Sequence, residues 1–361
     1  MYVVTNRRLI ETATGLDVFD KVPNPKGPNE LRLVKVVKAG AGFKTNLQDD
    51  KLAKAQVATL KKRFQLNIDE TVPWYASLRI ACELNVLARK KNKHLLLYVH
   101  GYNNDMPDVI GTCMALEQLY NIIVVPYSWP ANGGGAAGTA AYLSDKRDAR
   151  ASADALNRTI EKLGFYHDLL TAARRDTLKA KASQKHPNNP QACQEYYAEL
   201  LDADCKVTVN LLCHSMGNYL LKYALMPGAA ASRKLVFDNI GLVAADANNK
   251  EHEHWVDALQ PRNRLYVVMN EDDFALKWSR RKPGDEQLAR LGHYLKNLVA
   301  RSAYYVNVTN ASWVKNAHTY FTGTPVQKNA DLKQLFQRIV EGDTAEDLMR
   351  YHPEANYYVL K

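Results

Sequence analysis

Val209-Asn210-Leu211-Leu212-Cys213-His214-Ser215-Met216-Gly217-Asn218 is the stretch on which the reading of this chain turns. An apolar run stops at a small-His-Ser-Met-Gly corner, and a helix-forming segment, Asn218 to Leu225, follows at once. Strand, sharp turn and helix in that order make a nucleophile elbow, which lifts one serine oxygen clear of a sheet. Such a turn is crowded and calls for small residues two before and two after the serine. Gly217 meets that demand, whereas Cys213 stands where glycine is the usual choice. The competing role for Ser215 is a helix cap, a position that serine favours.

At 361 residues the chain can bury a substantial core. With 46% hydrophobic and 24% charged residues it belongs with ordinary globular proteins rather than disordered or fibrous ones. Lys and Arg outnumber Asp and Glu by 48 to 38, a net charge of +10. That excess favours anionic surfaces, but it is spread along the chain and no nucleic-acid-reading motif accompanies it, so no nucleic-acid partner is expected. A membrane surface is only weakly supported, since no amphipathic anchor is evident in the sequence. Met1 to Arg8 lacks the apolar region of a secretory signal, and no apolar run approaches the roughly 20 residues that cross a bilayer. The five cysteines (Cys82, Cys113, Cys193, Cys205, Cys213) are odd in number and lack paired metal spacing. Reduced thiols and a cytoplasmic location are the expectation.

Working outward from the elbow, strands alternate with helices. Candidate strands are Met1 to Leu9, Leu31 to Lys38, His94 to Val99, Asn121 to Pro126, Lys206 to Leu212, Ile240 to Ala245, Leu265 to Met269 and Tyr304 to Val308. Helices are expected over Lys51 to Phe64, Tyr75 to Lys91, Met106 to Leu119 and Thr139 to Leu163. Short continuous apolar runs such as His94 to Val99 suit strands covered on both faces. The pattern predicts an α/β fold across 1–361 as a single domain, with a mainly parallel central sheet flanked by helices. A helical insertion precedes the nucleophile strand. This segment, 164–204, carries Arg174, Arg175, Lys179, Lys181 and Lys185, and breaks at His186 to Pro190. It reads as a solvated helical connection or as a cap or lid that gates access.

A serine hydroxyl becomes nucleophilic when a histidine takes its proton, and a carboxylate holds that histidine in the productive tautomer. Ser215 is the candidate nucleophile. The oxyanion hole calls for the N–H after the nucleophile, here Met216, and a second from a loop after an earlier strand. Val99-His100-Gly101-Tyr102-Asn103-Asn104 suits that loop: Gly101 permits close approach and Tyr102 offers the N–H. The acid belongs after a later strand, where Asn270-Glu271-Asp272-Asp273 crowd one corner and Asp246 competes from the strand before. An acid at a helix start is favoured without any catalysis, so composition alone does not choose among them. The base belongs beyond the last strand, which singles out His318; His293 is expected on a helix and His352 in the tail. His100 and His214 are too tied to strand ends to serve as the base, and read as supports behind the reacting groups.

Several of these segments occur in an order that resembles a known family. His100-Gly101-Tyr102-Asn103-Asn104, Tyr127-Ser128-Trp129-Pro130, Tyr142-x-x-Asp145 and His214-Ser215-Met216-Gly217-Asn218 look like the alpha/beta hydrolase family of unknown function 900, a bacterial esterase/lipase-like group. The likeness continues through Asp273-Phe274-Ala275-Leu276, Ser279, Arg290-Leu291-Gly292 and His318-Thr319-Tyr320-Phe321, so it covers roughly Leu95 to Val340. The resemblance implies an α/β-hydrolase fold with Ser215 as nucleophile, Asp273 as acid and His318 as base, and it favours Asp273 over Asp272. No substrate identity comes with it.

Two other motifs lead elsewhere and are set aside. Gly133 to Thr139 approaches a phosphate-cradling loop but lacks its lysine. His252-Glu253-His254 would point its histidines to different helix faces and reads as a polar helix surface; no metal or cofactor is expected. Trp129 and Trp313, near strand ends, read as core. The function expected is a serine hydrolase acting on a carboxylic ester or thioester, with a small-molecule ester or lipid as substrate. The alternatives are a lipase or phospholipase acting on membrane lipid, and a catalytically silent scaffold that binds a ligand or protein partner. The sequence does not speak to oligomeric state.

Overall fold

The computed structural model describes residues 1–48, 50–132, 139–204, 206–225, 235–281 and 288–361. The Gly-rich loop read at 133–139, up to its last residue, and Cys205 lie outside the described residues. Thirteen strands are formed among the described residues: β1 (Tyr2–Thr5), β2 (Arg7–Leu9), β3 (Phe19–Pro23), β4 (Arg32–Ala39), β5 (Gly42–Leu47), β6 (Leu95–Val99), β7 (Ile123–Ser128), β8 (Val209–His214), β9 (Asn239–Val243), β10 (Arg264–Met269), β11 (Ala303–Asn307), β12 (Met349–His352) and β13 (Tyr357–Leu360). Eleven of them form one sheet in the order β12-β13-β11-β10-β9-β8-β6-β7-β1-β4-β5. The pairs from β1 through β7, β6, β8, β9, β10 and β11 to β13 are all parallel, and only β4, β5 and β12 pair antiparallel at the margins.

The middle strand explains itself. Every residue of β8 is buried, as an apolar strand covered by helices on both faces requires. One of those covers is the helix Ala330–Glu341, whose Leu332, Leu335, Phe336, Ile339 and Val340 recur at helical spacing and are all buried. Asn329 caps its start by accepting from the Leu332 N–H (2.9 Å), and Gly342 ends it in the left-handed region at φ 85°.

The chain divides into two compact units. The first, Met1–Leu47, His94–Ile160 and Thr208–Lys361, holds the sheet. The second comprises Gln48–Lys93 and Glu161–Val207. Its core includes Val57, Leu66, Leu78 and Cys82 from the earlier segment and Tyr166, Leu170 and Ala173 from the later one. Within it Asp204 pairs with Arg89 (2.9 Å) and Arg174 (2.7 Å), which hold its carboxyl below the usual range against the opposing effect of burial. The segment read as a cap, 164–204, falls inside this second unit.

Some elements differ from expectation. Met1 to Leu9 is two strands in two sheets, because Asn6 turns inward and its amide donates to Pro28 O and Ser152 Oγ (both 2.8 Å). The helix expected to end at Leu163 instead breaks at Ser152, and Ala153–Lys185 then runs unbroken through Gly164. One interior glycine costs a long helix only about 1 kcal/mol. His293 lies in a turn rather than on a helix. His252 is buried between Asn249 O (2.6 Å) and the Tyr305 hydroxyl (2.5 Å), so only His254 is the exposed polar residue expected of that pair. Trp129 is core as expected; Trp313 is half exposed.

Candidate active site

In an open α/β sheet, ligands bind beyond the carboxyl ends of the strands where the strand order reverses. Here that point lies between β6 and β8: β7 and β1 extend from β6 on one side, and β9, β10 and β11 extend from β8 on the other. The register pairs Val99 with Cys213, so the residues just beyond are His100-Gly101 and His214-Ser215.

Ser215 occupies the left-handed region at φ 53°, a conformation that costs a non-glycine residue roughly 1–2 kcal/mol. The surroundings hold it there. Its N–H donates to Val243 O (3.1 Å), while its carbonyl accepts from Asp246 N (3.1 Å) and Asn218 N (3.0 Å). The Asn218 amide donates to the carbonyls of Cys213, Ser215 and Val243. Gly217 is dictated by contact, since a Cβ there would stand 2.6 Å from Val99 O. Cys213 is fully buried inside β8, and burial pushes its thiol far up, away from reactivity. Gly101 faces Ser215 directly: a Cβ on it would lie 2.8 Å from Ser215 Cβ and 3.3 Å from Ser215 Oγ. Met216 and Tyr102 are the neighbours of these two residues along the chain.

Asp273 divides its carboxylate. One oxygen accepts from Ala275 N (2.9 Å) and Leu276 N (3.0 Å), capping the helix Phe274–Ser279. The other lies 2.7 Å from His318 Nδ1. Helix cap and histidine partner, set against each other in the sequence reading, coincide in one group. Asp272 is exposed. Asp246 is committed elsewhere: Ser279 Oγ (2.6 Å), Tyr142 hydroxyl (2.9 Å) and the buried Arg290 guanidinium (3.0 Å) surround it. His293 is buried, and its ring nitrogens have no hydrogen-bond partner among the described residues.

The His318 segment is held against the elbow. His214 Nε2 donates to His318 O (3.2 Å), and the two rings lie 4.6 Å apart. Asn270 donates to Lys315 O and Ala317 O, and the Tyr320 hydroxyl bridges Val268 O (2.8 Å) and Ala244 N (3.1 Å) across β10 and β9. Burial, reinforced by the charge His318 can carry, drives His214 well below the ordinary histidine range. It therefore stays neutral. His100 is likewise neutral, pushed down to about 3 by burial and by the Arg7 charge. Its Nδ1 donates to Gly101 O (3.0 Å), its Nε2 accepts from Trp129 N (3.2 Å), and its ring stacks on Trp129.

Arg7 is the residue that the sequence reading missed. Its fully buried guanidinium has no carboxylate partner at hydrogen-bond distance among the described residues. Instead it donates to Ser128 Oγ (2.9 Å), Asp20 O (3.1 Å), Ala131 O (3.2 Å) and Asn104 O (3.1 Å). Asp145 grips the same loop from the other side, accepting from Asn103 N and Asn132 N (both 3.0 Å). Between them they fix the backbone that follows Gly101.

The sequence model of one family, described as "Alpha/beta hydrolase of unknown function (DUF900)", matches residues 80–168. The chain has an alpha/beta-hydrolase fold. The matched stretch takes in the His-Gly-Tyr-Asn loop, Ser128-Trp129-Pro130 and Tyr142-x-x-Asp145. It ends before the elbow, short of the likeness read through Val340. No curated protein and no solved structure matches the chain. The family supports hydrolase activity.

Proposed function

We propose that this alpha/beta hydrolase cleaves a carboxylic ester or thioester through an acyl-enzyme on Ser215. The observation that carries the reading is the 2.7 Å contact between His318 Nδ1 and buried Asp273, on a segment bonded through His318 O to His214, the residue before a serine in the left-handed conformation. A carboxylate at Nδ1 fixes the proton there and leaves Nε2 as the acceptor. His318 then takes the Ser215 proton as Oγ attacks the substrate carbonyl. The N–H groups of Met216 and Tyr102 receive the negative oxygen, with Gly101 leaving room for it. Protonated His318 hands its proton to the departing alcohol or thiol. Water, deprotonated by His318, attacks the acyl-enzyme and releases the acid.

A fluorophosphonate probe tests this directly. The wild-type protein is expected to label and Ser215→Ala to remain unlabelled. Failure of the wild type to label alongside control serine hydrolases would favour the silent, ligand-binding scaffold. Labelling that survives Ser215→Ala would move the nucleophile elsewhere. A panel of esters graded by acyl length, run with the same alanine control, reads out substrate preference.

A further inference from the structure

The three most exposed large apolar side chains among the described residues all sit on the two segments that carry the acid and the base. They are Trp278 (59%), Phe274 (52%) and Trp313 (50%). Phe274 and Trp278 are four apart and share one side of the helix that Asp273 caps. Trp313 precedes His318 on a loop tied to that helix, since Phe274 N donates to Asn316 O (3.3 Å). Trp313 and Lys315 both adopt left-handed backbone, at φ 73° and 47°. Neither packing nor local preference explains an aromatic side chain held half in water in that conformation. Elsewhere the chain buries Trp129 and Trp255.

The charges around these rings are mostly positive. Lys277, Arg280, Arg281 and Lys315 are exposed and form no ion pair among the described residues, with the Arg281 guanidinium 5.4 Å from the Trp278 ring. Among the exposed described residues of these segments, Glu271 and Asp272 oppose them.

We propose that this face docks reversibly on an anionic lipid surface and so delivers a lipid ester to Ser215. The choice of ester chemistry rests on the reading above; the docking does not. Tryptophan suits the boundary between headgroups and acyl chains, lysine and arginine reach the headgroups from apolar stems, and the two together supply the paired signals that a peripheral protein needs. A second copy of the chain fits the face poorly, because like charges would meet across the contact.

Ser215→Ala protein, which would leave the lipid intact, is mixed with vesicles of phosphatidylcholine alone or with added phosphatidylglycerol. Sedimentation with the anionic vesicles and a blue shift of tryptophan emission are expected, both weakened by about 1 M salt, which shortens screening to about 3 Å. Replacing Phe274, Trp278 and Trp313 together by serine is expected to weaken sedimentation about tenfold or more, and so is Lys277→Glu with Lys315→Glu. The charge pair carries the test should the triple variant not fold. Equal behaviour on neutral and anionic vesicles, or no loss in the charge pair, overturns the proposal. So does self-association that the triple variant abolishes in protein that ignores vesicles. Probe labelling of the wild type separates the two ideas: docking without labelling removes the chemistry, and labelling without docking removes the surface.

Discussion

In the proposed reading Asp273 carries a structural and a chemical duty, and the loss of each can be told apart. Asparagine caps a helix as well as aspartate, so Asp273→Asn is expected to fold with near wild-type stability. It loses the charge that orients His318, and kcat/KM should fall by about 10³–10⁴. Asp272→Asn, at an exposed position, should leave the rate within about twofold, as distant surface changes do. Asp246→Asn should instead cost stability, roughly 3–5 kcal/mol, because Arg290 is left buried without its counter-charge. Denaturant titration and ester kinetics on the three proteins check the assignment; an undiminished Asp273→Asn rate would overturn it. Arg7→Lys keeps the charge but loses the fork that holds Asn104 O and Ala131 O. A kcat loss between about 10-fold and 100-fold is expected if the loop after Gly101 shifts, with KM little changed. An unaltered kcat in the folded variant would reduce Arg7 to a structural role. Ser215 and His318 are candidates that chain order and residue type already single out. Arg7 was not, since its acceptors are mainly backbone carbonyls, which leave no mark in composition and lie as far as 124 residues away.

Among the elements, the sheet's interior and β4 were readable, and the outermost strands β5, β12 and β13 were not. Continuous apolar runs marked β6 to β11, because a strand covered on both faces has no polar side to show. Gly42–Leu47 and Tyr357–Leu360 carry mixed, partly exposed faces, and their pairing follows from neighbours that no local pattern reveals. The break at Ser152 was hidden for the same reason. Glycines at the crossings give a sharp test of how tightly the elements meet. In the segment spanning the ends of β9 and β10, a Cβ on Gly292 would stand 2.1 Å from Ala245 N. Gly292→Ala is expected to destabilise by at least about 3 kcal/mol, the upper end of ordinary core overpacking. Gly111, on the helix Met106–Tyr120, has nothing within 4 Å of its missing Cβ; Gly111→Ala should stabilise by roughly 0.5–1 kcal/mol. Thermal unfolding of the pair decides, and equal midpoints would contradict the close crossing.

For the whole molecule, buried neutral histidines tie stability to pH. His100 and His214 hold folded values below the unfolded histidine value. The unfolded chain therefore binds more protons as pH falls through about 6.5, and that stability is lost on the acid side. Between about pH 6.5 and 4.5, unfolding free energy should drop on the order of 1.4 kcal/mol per pH unit for each such histidine. Urea titrations across that window should show the midpoint falling steadily; a flat profile would mean that these rings are not held neutral. The two-unit division was less legible than the sheet. Gln48–Lys93 and Glu161–Val207 each read as unremarkable helical sequence, and only their shared apolar side chains bring them together.

The place of β1 has a consequence for how the molecule comes into being. This strand is wedged between β7 and β4, and Thr5 and Arg7 bond to Ser128 across 123 and 121 residues. On the ribosome, Arg7 emerges long before any of the groups around the loop that it will hold. Contacts of such separation form slowly, because the intervening chain must close before they are made. β1 and Arg7, made well before the strands and loop they join, are therefore among the last to find their partners, and newborn chains should pass through a stage in which Ser215 has its elbow but not yet a settled loop opposite it.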